Sequence, residues 1–230
     1  MFRKALLAGG ILSSLLYAGM TLLIPLFWPE YDWRSLTISE LSAVDAPTRG
    51  MWILPGALYT VLIVGFGWGV RKSAGGNRAL RTAGTLILVY GSLGLLWPFA
   101  PMHQREVLAA GGGTFGDTLH IALGAITVLL MLFAIGIGAT AFGQRFRIYS
   151  IGSLAILFVF GVLTFYYAPN VGRNLPTPWL GVYERINLGV FLLWVAVLAS
   201  ALLSERAASS FTRAAESTPR AAAAHRGRAA

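Results

Sequence analysis

The stretch Thr118–Phe142 reads TLHIALGAITVLLMLFAIGIGATAF, and its 25 residues include a single ionisable side chain, His120. A helix rises about 1.5 Å per residue, so about 20 such residues cross a hydrocarbon core about 30 Å thick. Five more runs of this kind lie along the chain, at roughly Ala5–Trp28, Met51–Val70, Thr82–Ala100, Ile148–Tyr167 and Ile186–Leu203. None of the five contains a charged residue or a histidine. They are continuously apolar and do not alternate at period two, which argues against a membrane barrel. Pro25, Pro55 and the many glycines are tolerated in membrane helices whose neighbours cover the freed backbone. The predicted fold is therefore all-α, a polytopic bundle of six transmembrane helices.

Composition agrees. The 230 residues are 56% hydrophobic and only 12% charged, with a mean hydropathy of +0.68. A soluble domain carries about 25% charged residues. Half that fraction cannot cover a water-exposed globule, so lipid must cover much of the surface. The chain has no cysteine, which excludes disulfides and thiolate metal sites. Its net charge of +9 raises the question of nucleic acid. The charges, however, sit in short loops and a tail and form no basic, aromatic-interleaved stripe, so no nucleic-acid partner is expected.

Those charges also orient the bundle. The amino terminus, the 71–81 and 143–147 loops and the tail together hold 13 Lys and Arg. The opposite side holds five: Arg34, Arg49, Arg105, Arg173 and Arg185. The positive-inside rule places the 13 in the cytoplasm, together with both termini. Seven of the nine acids fall on the outer side, as do most tryptophans and tyrosines of an interfacial belt. The first span follows Arg3 and Lys4 but is too long for a signal-peptide core and lacks a clear cleavage site. Residues 1–203 are read as the transmembrane domain and 204–230 as a disordered basic tail, rich in Ala, Arg and Ser.

The inner loops are accounted for by topology, and the outer segments carry the remaining chemistry. Residues Leu36–Ala43, LTISELSA, have helical spacing and predict a short interfacial helix after the first span, with Ile38 and Leu41 buried. Asp117 and His120 open the fourth span at i and i+3, on one helix face. A carboxylate there can orient the imidazole for general-base work, raise its pKa or complete half a metal site. The bland alternative is an Asp favoured by the helix macrodipole and a His reaching toward headgroups. Glu184, Arg185 and Asn187 open the sixth span, and Arg185 is expected to pair with Asp117 or Glu40. A buried ion pair tying helices together is the structural reading of that motif. His103, in Pro101-Met-His-Gln-Arg-Glu106, precedes the fourth span and could join His120 as a weak metal pair. The spacing is no metal signature, and no cofactor is predicted.

Several of these residues also carry a resemblance. Ser39-Glu40-Leu41, Pro101-Met-His-Gln-Arg105, Asp117-x-x-His120 and Pro176-Thr-Pro-Trp-x-Gly-Val-Tyr-Glu-Arg-Ile-Asn187 occur in that order. This order resembles the bacterial membrane proteins grouped as domain of unknown function 998, over about residues 5 to 203. The resemblance implies a six-span bundle and assigns no activity. A more distant likeness, in the loop after the first span, is to eukaryotic six-span proteins of lipid and GPI-anchor remodelling. Membrane hydrolases that use Ser, Asp and three His have paired His on the last helix, which this chain lacks, so their mechanism is not carried across.

Two functional readings follow. In the first, an outward-facing polar pocket binds or processes a lipid-like substrate. Asp117, His120, Glu184 and Arg185 are then the catalytic candidates, with Ser39, Glu40, His103, Arg105 and Asn187 binding substrate. Arg185 would hold a phosphate. In the second, the chain is a non-catalytic assembly subunit with a protein partner or a second copy of itself, and the same residues are interhelical ion pairs. Whether the chain is an enzyme is left open by the sequence.

Overall fold

The computed structural model describes the backbone of residues 1–226 and the side chains of residues 1–204. Within it, each long apolar run is helical over most of its length. The helices are α1 (Phe2–Leu23), α2 (Arg49–Ser73), α3 (Arg78–Leu93), α4 (Arg105–Ala109), α5 (Phe115–Gly138), α6 (Gln144–Val171) and α7 (Leu180–Arg226). Among the described residues six helices are long and apolar enough to cross a membrane, and there is no strand. The side chains of residues 205–230, in the tail expected to be disordered, lie outside the described residues.

Local chemistry sets the helix ends. Asn77 caps α3 by accepting from the Leu80 N–H at 3.0 Å. α3 gives way before the expected Ala100, and the chain continues through a 3-10 turn, Trp97–Phe99, opened by Pro98, which has no N–H to donate. α5 begins at Phe115, earlier than the Thr118 expected from hydropathy, because Thr114 and Asp117 form a capping box around its first turn. Of Leu36–Ala43, expected as a short helix, Ser39–Ser42 forms a single 3-10 turn. Ile38 and Leu41 are buried there, as the spacing implied.

The six long helices close a ring in sequence order, each packed on the next and α7 on α1. On α7, Phe191, Trp194, Val195 and Leu198 are fully buried beside Ile63, Phe66 and Ile135. Close approach uses small residues in place of large ones. A Cβ on Gly138 would come within 2.7 Å of the Trp194 ring, and one on Gly67 within 2.6 Å of the Leu88 backbone. Several polar side chains inside the ring find partners on other helices. Trp194 Nε1 donates to Ser150 Oγ at 2.9 Å, and the Tyr59 and Tyr90 hydroxyls pair at 2.6 Å. Ser14 Oγ donates to the Leu192 carbonyl at 2.8 Å. In hydrocarbon each of these groups would cost several kcal/mol if unpaired, on the order of the desolvation of an amide or hydroxyl.

The outer faces of α5 and α6 are exposed and apolar, with Ile121, Phe133, Ile151, Phe158 and Phe165 uncovered. Between the two helices runs an open apolar groove of ≈ 580 Å³, lined by Leu132, Phe133, Gly136, Ile151, Leu154 and Phe158 among others. None of the candidate site residues lines it. The 28–48, 94–114 and 172–179 connections gather at the opposite end from the 74–77 and 139–143 turns, which are flanked by Arg71, Lys72, Arg78, Arg145 and Arg147.

Candidate functional site

Three connections interlock at that end. The 31–40 segment lies over the start of α7, where the Gly181 N–H donates to the Arg34 carbonyl at 2.8 Å. The Ile38 N–H in turn donates to Glu184 Oε2 at 2.5 Å. The next connection joins through the Val44 N–H, which donates to the Met102 carbonyl at 2.7 Å. Apart from Asn187, the residues flagged in the sequence are thereby brought to one end, but in pairings that spacing did not reveal.

Arg105 and Glu40 form the buried centre. Arg105 Nε donates to Glu40 Oε1 and Nη2 to Glu40 Oε2 at 2.9 Å, a bidentate pair with both side chains buried. Glu40 Oε2 also accepts from the Thr37 N–H at 2.6 Å and the Thr37 hydroxyl at 2.8 Å. Arg105 completes its contacts on Thr177 Oγ1 at 2.7 Å and the Ser35 carbonyl at 3.1 Å. One guanidinium thus ties the turn after α1, helix α4 and the segment before α7. Most of its donors are consumed inside the protein, which makes it a fastening and leaves it little to offer a ligand. Removing either partner would strand a buried charge.

Asp117 is equally occupied. Its carboxylate turns back to the start of its own helix and accepts from the Thr114 N–H at 2.7 Å and the Thr114 hydroxyl at 2.9 Å. It also accepts from the His103 N–H at 2.7 Å and pairs with His103 Nδ1 at 2.9 Å. The expectation that Asp117 orients His120 is therefore corrected. As the third residue of a capping box, Asp117 is drawn toward the helix start, and it orients His103 instead.

His120 has other partners. Its Nδ1 lies 2.9 Å from the Ala100 carbonyl and its Nε2 3.0 Å from Ser39 Oγ. A carbonyl can only accept, so Nδ1 carries a proton toward it; in the neutral ring Nε2 is then the acceptor and Ser39 the donor. Trp97 packs edge-on against the imidazole, ring centroids 4.8 Å apart. Ser39 and His120 are both half-buried.

Arg185 pairs with neither Asp117 nor Glu40, the two acids expected for it. Nη1 donates to the carbonyls of Trp33 and Gly181, each at 2.9 Å, and Nη2 donates to the Tyr31 hydroxyl at 2.7 Å. Its guanidinium also lies over the Tyr31 ring, 5.6 Å from the centroid. Backbone carbonyls of the 31–36 segment converge where the acids do not reach, and they satisfy the charge. Tyr31 passes its own proton to the Thr37 carbonyl at 2.7 Å, and burial pushes its phenol pKa upward. At the rim, the Ser35 hydroxyl and the Arg34 N–H hold Asp32 below the usual carboxylate range. Asn187 stands apart within the bundle, where Nδ2 donates to the Leu157 carbonyl at 2.7 Å and joins α7 to α6. His103 and His120 have separate partners, and no group of three or more metal-ligating side chains occurs among the described residues.

A family model described as "Protein of unknown function (DUF998)" matches residues 11–201. The chain belongs to the DUF998 family. Membership agrees with the resemblance read from the motifs, and six long apolar helices suit a multi-pass membrane protein. No curated protein and no solved structure matches the chain.

Spacing alone missed Thr177, Tyr31 and Trp97. Thr114 was legible, since Thr-x-x-Asp before an apolar run is a capping-box pattern. The carbonyls of Ala100, Trp33 and Ser35 have no side-chain signal in the sequence.

Proposed function

We propose that this protein binds or processes a lipid-like molecule at the polar end of its bundle, in a bacterial inner membrane. Both termini then face the cytoplasm, the Ser39–Ser42 turn sits near the outer interface, and the site opens away from the cytoplasm. The observation supporting this reading is the Ser39–His120 hydrogen bond at 3.0 Å, because it is half-buried while the neighbouring ion pairs are saturated. It is the one contact at this end that joins a hydroxyl to an imidazole with a fixed tautomer. Lipid extracts of a host lacking the gene test the idea. Wild-type protein should restore any altered lipid class, and His120→Ala at equal membrane levels should not. Full restoration by His120→Ala would remove this reading.

A second reading, an assembly subunit with a protein partner or a second copy, is favoured by the Arg105–Glu40 pair, whose contacts all serve cohesion. It expects substitutions at this end to lower thermal stability in detergent without a specific lipid change. A partner in fixed stoichiometry should then co-purify.

A further inference from the structure

We propose that Ser39 and His120 are a nucleophile and general base that cleave an ester bond of a membrane lipid, an inference that rests on the lipid-handling reading above. A serine hydroxyl becomes a useful nucleophile when a base sits within hydrogen-bond reach and a third group fixes the base. All three elements are present. Nε2 of His120 faces Ser39 Oγ at 3.0 Å with its lone pair, because the Ala100 carbonyl holds the ring proton on Nδ1 at 2.9 Å. Such constellations are recognised by geometry and roles, and here a main-chain carbonyl takes the place of the usual carboxylate. The nearby acids are committed elsewhere, Asp117 to His103 and Thr114, and Glu40 to Arg105 and Thr37.

Both partners are held firmly. Trp97 braces the imidazole edge-on. The turn that presents Ser39 is pinned on either side, by the Ile38 N–H on Glu184 and by the Glu40 carboxylate on Arg105. The substrate class follows from the surroundings. Leu96, Phe99 and Ile121, neighbours in sequence of Trp97, Ala100 and His120, are exposed large apolar side chains. In a bundle of membrane-spanning helices they meet lipid, so a molecule reaching Ser39 along them carries acyl chains.

In the step, Ser39 Oγ bonds to the ester carbonyl carbon as His120 Nε2 takes the hydroxyl proton. The bond from that carbon to the alcohol oxygen breaks, its electron pair leaves with the oxygen, and Nε2 returns the proton to it. Water then gives a proton to Nε2 and its oxygen bonds to the acyl carbon. Ser39 Oγ leaves and recovers the proton, releasing a carboxylic acid.

The test uses the full chain in nanodiscs with an alkyl fluorophosphonate, and mass spectrometry to locate the adduct. Wild type should be modified on Ser39. Ser39→Ala should lose the adduct, and His120→Asn, which keeps an N–H for the Ala100 carbonyl, should react at least about 100-fold more slowly. A second measurement covers variants that fold poorly. The chain has no cysteine, so Ser39→Cys should alkylate with iodoacetamide faster than Ser42→Cys. Folded wild type that gives no adduct on Ser39, His120→Asn reacting as fast as wild type, or equal alkylation of the two cysteines overturns the proposal. If Ser39 never reacts while His120→Ala still fails to restore the lipids, the lipid reading stands and the ester chemistry falls.

Discussion

Asp117 and His120 lie one helical turn apart on α5, yet they hydrogen-bond to different segments: Asp117 to His103 and Thr114, His120 to Ser39 and the Ala100 carbonyl. The polar end therefore contains two separate histidine pairs. One belongs to a helix cap and fastens a loop. The other joins the turn after α1 to α5 and leaves a hydroxyl beside a ring nitrogen that can accept its proton.

The two pairs should respond differently to substitution. Asp117→Ala removes a capping acceptor as well as the partner of His103, and should cost about 1–2 kcal/mol of stability. Ser39→Ala, which deletes one half-buried hydrogen bond, should cost about 1 kcal/mol or less. Thermal unfolding of the purified variants in one detergent compares them. An Asp117→Ala protein as stable as wild type would show that the capping box contributes nothing.

The buried Arg105–Glu40 pair should be strongly one-sided. Glu40→Gln leaves the guanidinium without its countercharge and should lose about 3–5 kcal/mol, as should Arg105→Met in the reverse sense. The double variant should lose clearly less than the two singles combined, because neither charge is then stranded. A double-mutant cycle of denaturation free energies reads this directly. Additive losses would mean that the pair does not act as a unit.

Gly181 marks where the 33–36 segment crosses α7. A Cβ there would strike the carbonyl oxygens of Leu36 and Trp33, both main-chain atoms that cannot rotate away. Gly181→Ala should destabilise by about 1–3 kcal/mol. Gly124→Ala meets nothing within 4 Å and should be close to neutral. The same unfolding measurement on both variants separates crowding from the general effect of a methyl in a membrane helix.

Orientation is directly measurable because the chain has no cysteine. Glu106, exposed on α4, and Gly143, exposed before α6, lie at opposite ends of the bundle. In intact cells a membrane-impermeant maleimide should label Glu106→Cys, and Gly143→Cys only after permeabilisation. The reverse pattern would turn the site toward the cytoplasm.

Six helices were legible from residues alone because a membrane span must satisfy its own backbone hydrogen bonds and meet lipid with apolar side chains. Both demands are met within one continuous stretch, as in Thr118–Phe142, so composition along the chain suffices. The candidate residues were legible too, as the polar residues that topology left unexplained. Their partners were decided only by tertiary structure. Ser39 and His120 are 81 residues apart, Arg105 and Glu40 65, and nothing in the spacing of either joins them. Arg185 settles on carbonyls of the 31–36 segment, and His120 is aligned by the carbonyl of Ala100. Every residue carries a carbonyl, so only the fold selects which one meets which side chain.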